Sequence, residues 1–312
     1  MKFGKKYVKS YSGNLFQLFN LYEINLKLKI VIMIIMLNID FILKLYNKHI
    51  SVIKNNRKNM IDRLNSKATV PLESGGKNGC GIELHSGWHP QFADTEAEIT
   101  MLLLLEFKPK KVVEFSPCNG WSTALILDTL NHNNNNALLQ SFDVHDICLQ
   151  NIEVPNNVKW EFIKNDVKLE YSNMIKNEID YLFIDSDHSE DFAKYYVNNL
   201  LTPLLSQTKQ LKKQIVVSVH DVFHWCNNNG KASIEGKVVI DWLNNNNISY
   251  FTAGITNSII QNNKKTFFPQ SGIYSEIIEK KRELNIDSVI VKSWGYPQLE
   301  VQSNSAIFFI LE

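Results

Sequence analysis

From Asp94 onward, short apolar runs alternate with segments of helical length, and four of the runs are followed within three residues by an aspartate. A strand–helix alternation of this kind can bury its apolar runs only as a parallel sheet covered by helices on both faces, a doubly wound α/β domain. The pattern predicts helices at residues 95–107, with Asp94 as N-cap and Pro109 as stop, and at residues 121–130, 189–205 and 235–243. It predicts strands at Lys111–Phe115, 137–142, 158–163, Tyr181–Ile184, Ile215–Val219, 250–252 and 306–311. Residues 215–219 are almost wholly β-branched, the mark of a buried parallel strand. Ligands of open α/β sheets bind outside the carboxyl ends of the strands. Asp143, Asp166, Asp185, His220 and Asp221 are therefore expected to share one crevice.

The first strand leads through Glu114-Phe115-Ser116-Pro117-Cys118-Asn119-Gly120 into a helix that begins near Ser122 and Thr123. Gly120 allows close backbone approach, and a helix N-terminus favours a carboxylate or phosphate. Ser116 and Cys118 stand where a glycine-rich loop would have glycines, and Pro117 removes a donor. Glu114, Ser116, Gly120, Ser122 and Thr123 are the candidate cofactor residues here; an ordinary strand-to-helix turn is the plain alternative. Asp143, at a strand end, suits the two hydroxyls of a ribose, with Asp146 as competitor. Asp166 suits an adenine amino group or a simple cap.

The 33 basic and 32 acidic residues nearly cancel, so no global field points to nucleic acid. The four cysteines are scattered without a C-x-x-C pair, which fits a reducing, cytoplasmic compartment. Runs of asparagine at 133–136 and 244–247 read as loop filler. The N-terminal 60 residues read as an apolar and basic helical extension, residues 61–93 as linker and loop, and residues 94–312 as the α/β domain. Residues 24–45 are the one membrane candidate. Roughly a dozen apolar residues at about −0.5 kcal/mol each are nearly cancelled by Asp40 at about +3 kcal/mol, with Asn38 and the lysines added. Packing on the domain, on a partner or on a membrane surface is thus preferred to spanning. Residues 54–67 read as a helix end or linker. Cys80, His85 and His89 supply no fourth ligand for zinc. His224 and Trp225 are candidates to line an acceptor pocket.

Taken in order, residues 114–123, Phe142-Asp143-Val144-His145-Asp146, Phe183-Ile184-Asp185-Ser186-Asp187-His188-Ser189 and Val219-His220-Asp221-Val222-Phe223 resemble the successive motifs of class I S-adenosylmethionine-dependent methyltransferases. The likeness is nearest to the small-molecule O-methyltransferase branch with an Ile-Asp-x-Asp-His-Ser fourth motif, and it covers residues 94–311. It implies a Rossmann-like, seven-stranded, mostly parallel sheet with a reversed final strand, and binding of the methionine carboxylate near Glu114 to Gly120. In metal-dependent sugar O-methyltransferases of this kind, an aspartate after the fourth strand and an acidic pair after the fifth hold Mg2+. Carried over, Asp185 and Asp221 match metal ligands and His188 matches the base. His220 departs from the pattern by replacing the first acid of the pair.

Methyl transfer to oxygen needs a hydroxyl held in line with the sulfonium methyl group and close to deprotonated. Asp185 and Asp221 offer hard oxygen ligands suited to Mg2+, and His188 can take a proton near neutral pH. If His220 coordinates, Mn2+ or Fe2+ becomes more suitable. The acceptor class is a small hydroxylated molecule, with sugar favoured only by the resemblance. Competing readings are a glycosyltransferase using Asp185-Ser186-Asp187 as an Asp-x-Asp motif, a nicotinamide dehydrogenase weakened by the missing G-x-G-x-x-G, and a non-catalytic binding protein.

Overall fold

A computed structural model describes residues 37–66, 94–176, 178–223, 232–253, 271–286 and 306–312. The chain opens, within this range, with helix α1 (Ile39–Ser66), interrupted at His49, and continues with α2 (Asp94–Phe107) and strand β1 (Lys111–Phe115). Helix α3 (Trp121–Asn133) leads to β2 (Leu138–Asp143) and β3 (Lys159–Lys164); α4 (Tyr171–Lys176) leads to β4 (Tyr181–Ile184). A broken helical run follows as α5 (Glu190–Tyr196), a π turn at Val197–Leu201 and α6 (Thr202–Leu211), with Pro203 at its start. Strand β5 (Ile215–Val219), α7 (Ile234–Asn245), β6 (Tyr250–Phe251), α8 (Ser271–Glu283) and β7 (Ile307–Leu311) complete the described elements.

The seven strands lie in the order β3-β2-β1-β4-β5-β7-β6. The first five pair in parallel, whereas β7 runs antiparallel to both β5 and β6. This is the doubly wound sheet with a reversed final strand that the motifs implied. Two apolar layers cover it: one packs α1, α2, α3 and Ile277 against one face, the other packs α4 to α7 against the opposite face. The order reverses beside β1, where β4 crosses over to the other side. The crevice above β1, β4 and β5 is therefore the topological switch point at which ligands enter such sheets.

Helix α1 runs to Ser66, so residues 54–66 form a helix end, the first of the two readings given to 54–67. Ile42, Leu45, Tyr46, Ile53 and Met60 recur at helical spacing and are fully buried in the domain core. At about 1.5–3 kcal/mol per apolar side chain, this stripe binds the helix to the domain. The second half of the membrane candidate is thereby committed to protein contact; residues 24–36 lie outside the described residues. Among the described residues no helix is long and apolar enough to cross a membrane. Cys80, His85, His89, His224 and Trp225 also lie outside them.

Arg57, only 2% exposed, crosses from α1 to the start of α2. Its guanidinium donates to the Asp94 carbonyl at 2.7 Å and lies 3.3 Å from Glu98 Oε1. Tyr46 donates to Glu98 Oε2 at 2.7 Å, and Lys281 of α8 reaches the same oxygen at 3.3 Å. Helix α2 is apolar almost all round and buried, so its carboxylates have to be matched by donors of this kind.

Candidate active site

The loop after β1 solves a steric problem with few glycines. Ser116 (φ 55°), Cys118 (φ 49°) and Gly120 (φ 90°) all take the left-handed conformation. These are the three positions at which a glycine-rich loop carries glycine. Gly120 is also close-packed: a Cβ there would stand 2.7 Å from Ile152 Cδ1. Beneath the loop, the fully buried carboxylate of Glu114 accepts hydrogen bonds from Ser122 (2.7 Å), Thr123 (2.8 Å) and Ser141 (2.6 Å). Burial raises its pKa to about 7 against the pull of those three hydroxyls. The hydroxyls of Ser122 and Thr123 are thus directed to Glu114. The loop's own N–H groups are also engaged within the chain: Ser116 N donates to Phe142 O and Gly120 N to Pro117 O, each at 2.7 Å, and Trp121 N to Asn119 Oδ1 at 3.1 Å.

Asp143 ends β2 beside this loop and ties it down, accepting from Cys118 N at 3.2 Å and His145 N at 2.9 Å. Burial raises its carboxyl pKa, with those N–H groups opposing. Its competitor Asp146 is held at the surface by Lys164 at 2.8 Å. Asp166 caps the turn at Val167–Glu170 through Lys168 N. Ser116 Oγ donates to Ser186 Oγ at 2.9 Å, so the first loop touches the loop after β4.

The second half of the site lies after β4 and β5. His220 N donates to Ile184 O at 2.8 Å, extending the ladder by one rung and placing Asp185, His220 and Asp221 side by side. One ligand atom from each of the three lies within 4.8 Å of the others. His220 Nδ1 stands 3.3 Å from Asp185 Oδ1 and 3.2 Å from Asp221 Oδ1. Asp221 itself has φ 55°. His188 bridges two carboxylates: Nε2 is 3.2 Å from Asp221 and Nδ1 is 2.8 Å from Glu235. Burial works against its charge, but the hydrogen bonds to Asp221 and Glu235 outweigh it and raise the pKa to about 10. His220 is likewise raised: burial opposes, and the charges of Asp185, Asp221 and Glu96 prevail. Ser189 caps helix α5 by accepting from Phe192 N, and Asp187 braces that cap by accepting from Ser189 N and Ser189 Oγ.

Two participants were missed in the sequence. Glu235, 1% exposed, comes from the first turn of α7 and also accepts from Tyr196 at 2.9 Å. Its helix can dock this closely because a Cβ on Gly236 would fall 2.1 Å from the Val222 carbonyl oxygen. Glu96, fully buried on α2, reaches His220 Nε2 at 3.2 Å and accepts from Ala306 N at the start of β7. Both read in the sequence as ordinary acids in a first helical turn, where the helix dipole favours them. For Glu96 the available signal was an acid within two turns of the apolar run Met101–Leu105 of the same helix; the helix of Glu235, with Lys237 and Asp241, gave none.

Sheet order and side-chain geometry together define a Rossmann-like fold with a candidate site at the carboxyl edge of β1, β2, β4 and β5. Residues 113–222 match the family model described as a methyltransferase domain. No curated protein matches the chain. Among solved structures it is similar to a Podospora anserina methyltransferase bound to SAH, at 14% identity over 52% of this chain and 74% of that one, TM-score 0.38. It is similar to an O-methyltransferase of Bacillus cereus in complex with SAH, at 10% identity over 82% and 90% of the two chains, TM-score 0.39. A Klebsiella pneumoniae protein described as a putative O-methyltransferase aligns at 12% identity over 65% and 85%, TM-score 0.39.

Proposed function

We propose that the protein transfers the methyl group of S-adenosylmethionine to a hydroxyl of a small polar molecule, with a divalent cation at Asp185, His220 and Asp221. The observation that carries this reading is the juxtaposition of the two half-sites, linked by Ser116 and Ser186, at one sheet edge. The donor set fits a cation. Two carboxylate oxygens and an imidazole nitrogen converge within 4.8 Å. Glu96, Asp185, Asp221 and Glu235 all approach the imidazoles of His188 and His220, which gathers acidic and nitrogen donors around one point.

When bound, the cation would orient an acceptor diol and lower its pKa. The chain's own residues supply the rest. The turned loop at Ser116–Gly120 brings the α3 N-terminus towards the methionine carboxylate, with Glu114 bracing the loop from below. Asp143 keeps lone pairs for the ribose hydroxyls beyond those used by the backbone. His188 is the proton acceptor at Nε2, and Glu235 holds Nδ1–H and stabilises the resulting charge. Between Asp221 and Glu235 the ring retains its proton to about pH 10, so this role requires Asp221 to serve the cation instead. Asp187, committed to bracing the Ser189 cap, leaves an Asp-x-Asp diphosphate clamp without its second arm. A sugar or other polyhydroxylated acceptor and a reducing cytoplasmic setting complete the reading.

Titration calorimetry with S-adenosylmethionine, S-adenosylhomocysteine, a UDP-sugar and NAD tests it. Binding of the first two alone is expected; binding of a UDP-sugar or NAD in their place sinks the proposal.

A further inference from the structure

We propose that Glu96 is a positioning residue that fixes His220 as a nitrogen ligand, so that the site selects a first-row transition-metal cation of the Mn2+ or Fe2+ class over Mg2+. The inference rests on the cation reading above and deepens it.

Helix α2 presents three carboxylates in its first turns, at alternate positions. Asp94 and Glu98, four residues apart, share one face and meet Arg57 of α1. Lys281 of α8 holds Glu98 and comes within 3.5 Å of the Thr95 hydroxyl. Glu96 lies on the opposite face of the helix and points to the sheet edge. Its Oε1 is occupied by Ala306 N, and its Oε2 lies 3.2 Å from His220 Nε2. Both residues are buried, Glu96 at 0% and His220 at 5%. A buried carboxylate beside an imidazole nitrogen is matched by an N–H at that nitrogen, which assigns Nε2–H to Glu96. Nδ1 faces Asp185 and Asp221 at 3.3 and 3.2 Å, so a cation held by those two carboxylates would meet Nδ1 as its nitrogen ligand in place of a proton. This carboxylate–histidine–cation arrangement is the usual outer-sphere device for orienting a ligand histidine. An imidazole in place of a carboxylate shifts preference from the hard, oxygen-seeking Mg2+ towards transition-metal ions. The departure of His220 from the acidic pair is, in these terms, a change of metal, and Glu96 is its counterpart on a distant helix.

The probe is Mn2+ added to the full-length, chelator-treated protein, followed by electron paramagnetic resonance. Wild type is expected to bind Mn2+ more tightly than Mg2+ in competition and to show nitrogen modulation of the Mn2+ echo from a bound imidazole. His220→Gln should remove that modulation. Glu96→Gln, which keeps an acceptor for Ala306 N, should weaken Mn2+ binding by about tenfold and Mg2+ binding by less. Mn2+ bound without nitrogen modulation in wild type overturns the inference, as does a Glu96→Gln protein with wild-type Mn2+ affinity. If Glu96→Gln unfolds, the wild-type modulation and Mn2+/Mg2+ competition still decide. S-adenosylmethionine titration of the same samples keeps the two readings apart: cofactor binding without a nitrogen-bound metal sinks this inference and leaves methyl transfer standing.

Discussion

The loop after β1 and the cluster after β4 and β5 occupy the same edge of one sheet and bury polar groups in opposite ways. Glu114 is met by three hydroxyls, so its carboxylate is fully hydrogen-bonded within the domain. Glu96, Asp185, Asp221 and Glu235 instead converge on two imidazoles. The first region is finished by its own chain and offers shape and a helix N-terminus. The second concentrates charge and, on the function proposed above, is completed by a cation. A ligand that needs positioning and an ion that needs ligands can then be lost independently.

That independence gives the largest expected effect. Asp221→Asn keeps a residue type that tolerates φ 55° but removes a ligand charge. Mn2+ affinity should fall about a hundredfold, at least the upper end of what an outer-sphere partner is worth. Calorimetric affinity for S-adenosylmethionine should stay within about twofold, because no residue of the first loop is touched. Equal losses in both would show that the two regions act as one site. The converse substitution is Gly120→Ala, which combines φ 90° with a Cβ 2.7 Å from Ile152 Cδ1. It should cost about 1–2 kcal/mol of stability by chemical denaturation and weaken cofactor binding about tenfold, with Mn2+ binding unchanged.

How much of this contrast was legible in the sequence follows from where each residue sits. Strands β1, β4 and β5 were placed to the residue because short runs rich in β-branched and aromatic residues end abruptly in polar loops. Strands β2 and β3 slid by one, since Ala137 and Val158 are apolar yet belong to the preceding turns. The helical run from Ser189 was expected to stop at residue 205, but the π turn absorbs Pro203 and lets it continue to Leu211. Asp185, His220 and Asp221 were visible because strand ends converge by topology. Glu96 and Glu235 were not, because each reaches the cluster from a helix that the sequence places in another part of the chain. Likewise, the serine and threonine at the α3 start read as ligand donors, and only the fold shows them turned to Glu114.

A smaller effect separates the regions by pH. The carboxyl of Glu114 is raised to about 7 in the folded protein, against 4.5 in the ordinary range. Its folded form holds the proton more tightly than the unfolded chain does. The resulting stability is present below about pH 4.5 and is lost as pH rises through about 7. Glu114→Gln removes that dependence, so the melting temperature of the variant relative to wild type should climb between pH 5 and pH 8. A constant difference across that range would mean that the buried carboxyl ionises as it does in water. Mn2+ affinity of the variant should match wild type.

The smallest expected effect tests whether the first loop needs its non-glycine residues at all. Cys118 holds φ 49° and Ser116 holds φ 55°, and an L-residue there costs about 1 kcal/mol or somewhat more through its Cβ. Cys118→Gly relieves that strain, but glycine also loosens the unfolded chain by about 0.4–1 kcal/mol, so the two terms nearly cancel. The Cys118 N–H that Asp143 accepts is kept in the variant. A gain of at most about 1 kcal/mol corresponds to a rise of about 2–4 °C at this domain size. Ser116→Gly gains less, because it surrenders the hydrogen bond to Ser186 that joins the two regions. If the strained side chains only substitute for glycine, Cys118→Gly should leave S-adenosylmethionine affinity equal or tighter. A clear loss of affinity would instead make the Cys118 side chain part of the cofactor's surroundings, and the first region would then recognise its ligand by more than shape and a helix N-terminus.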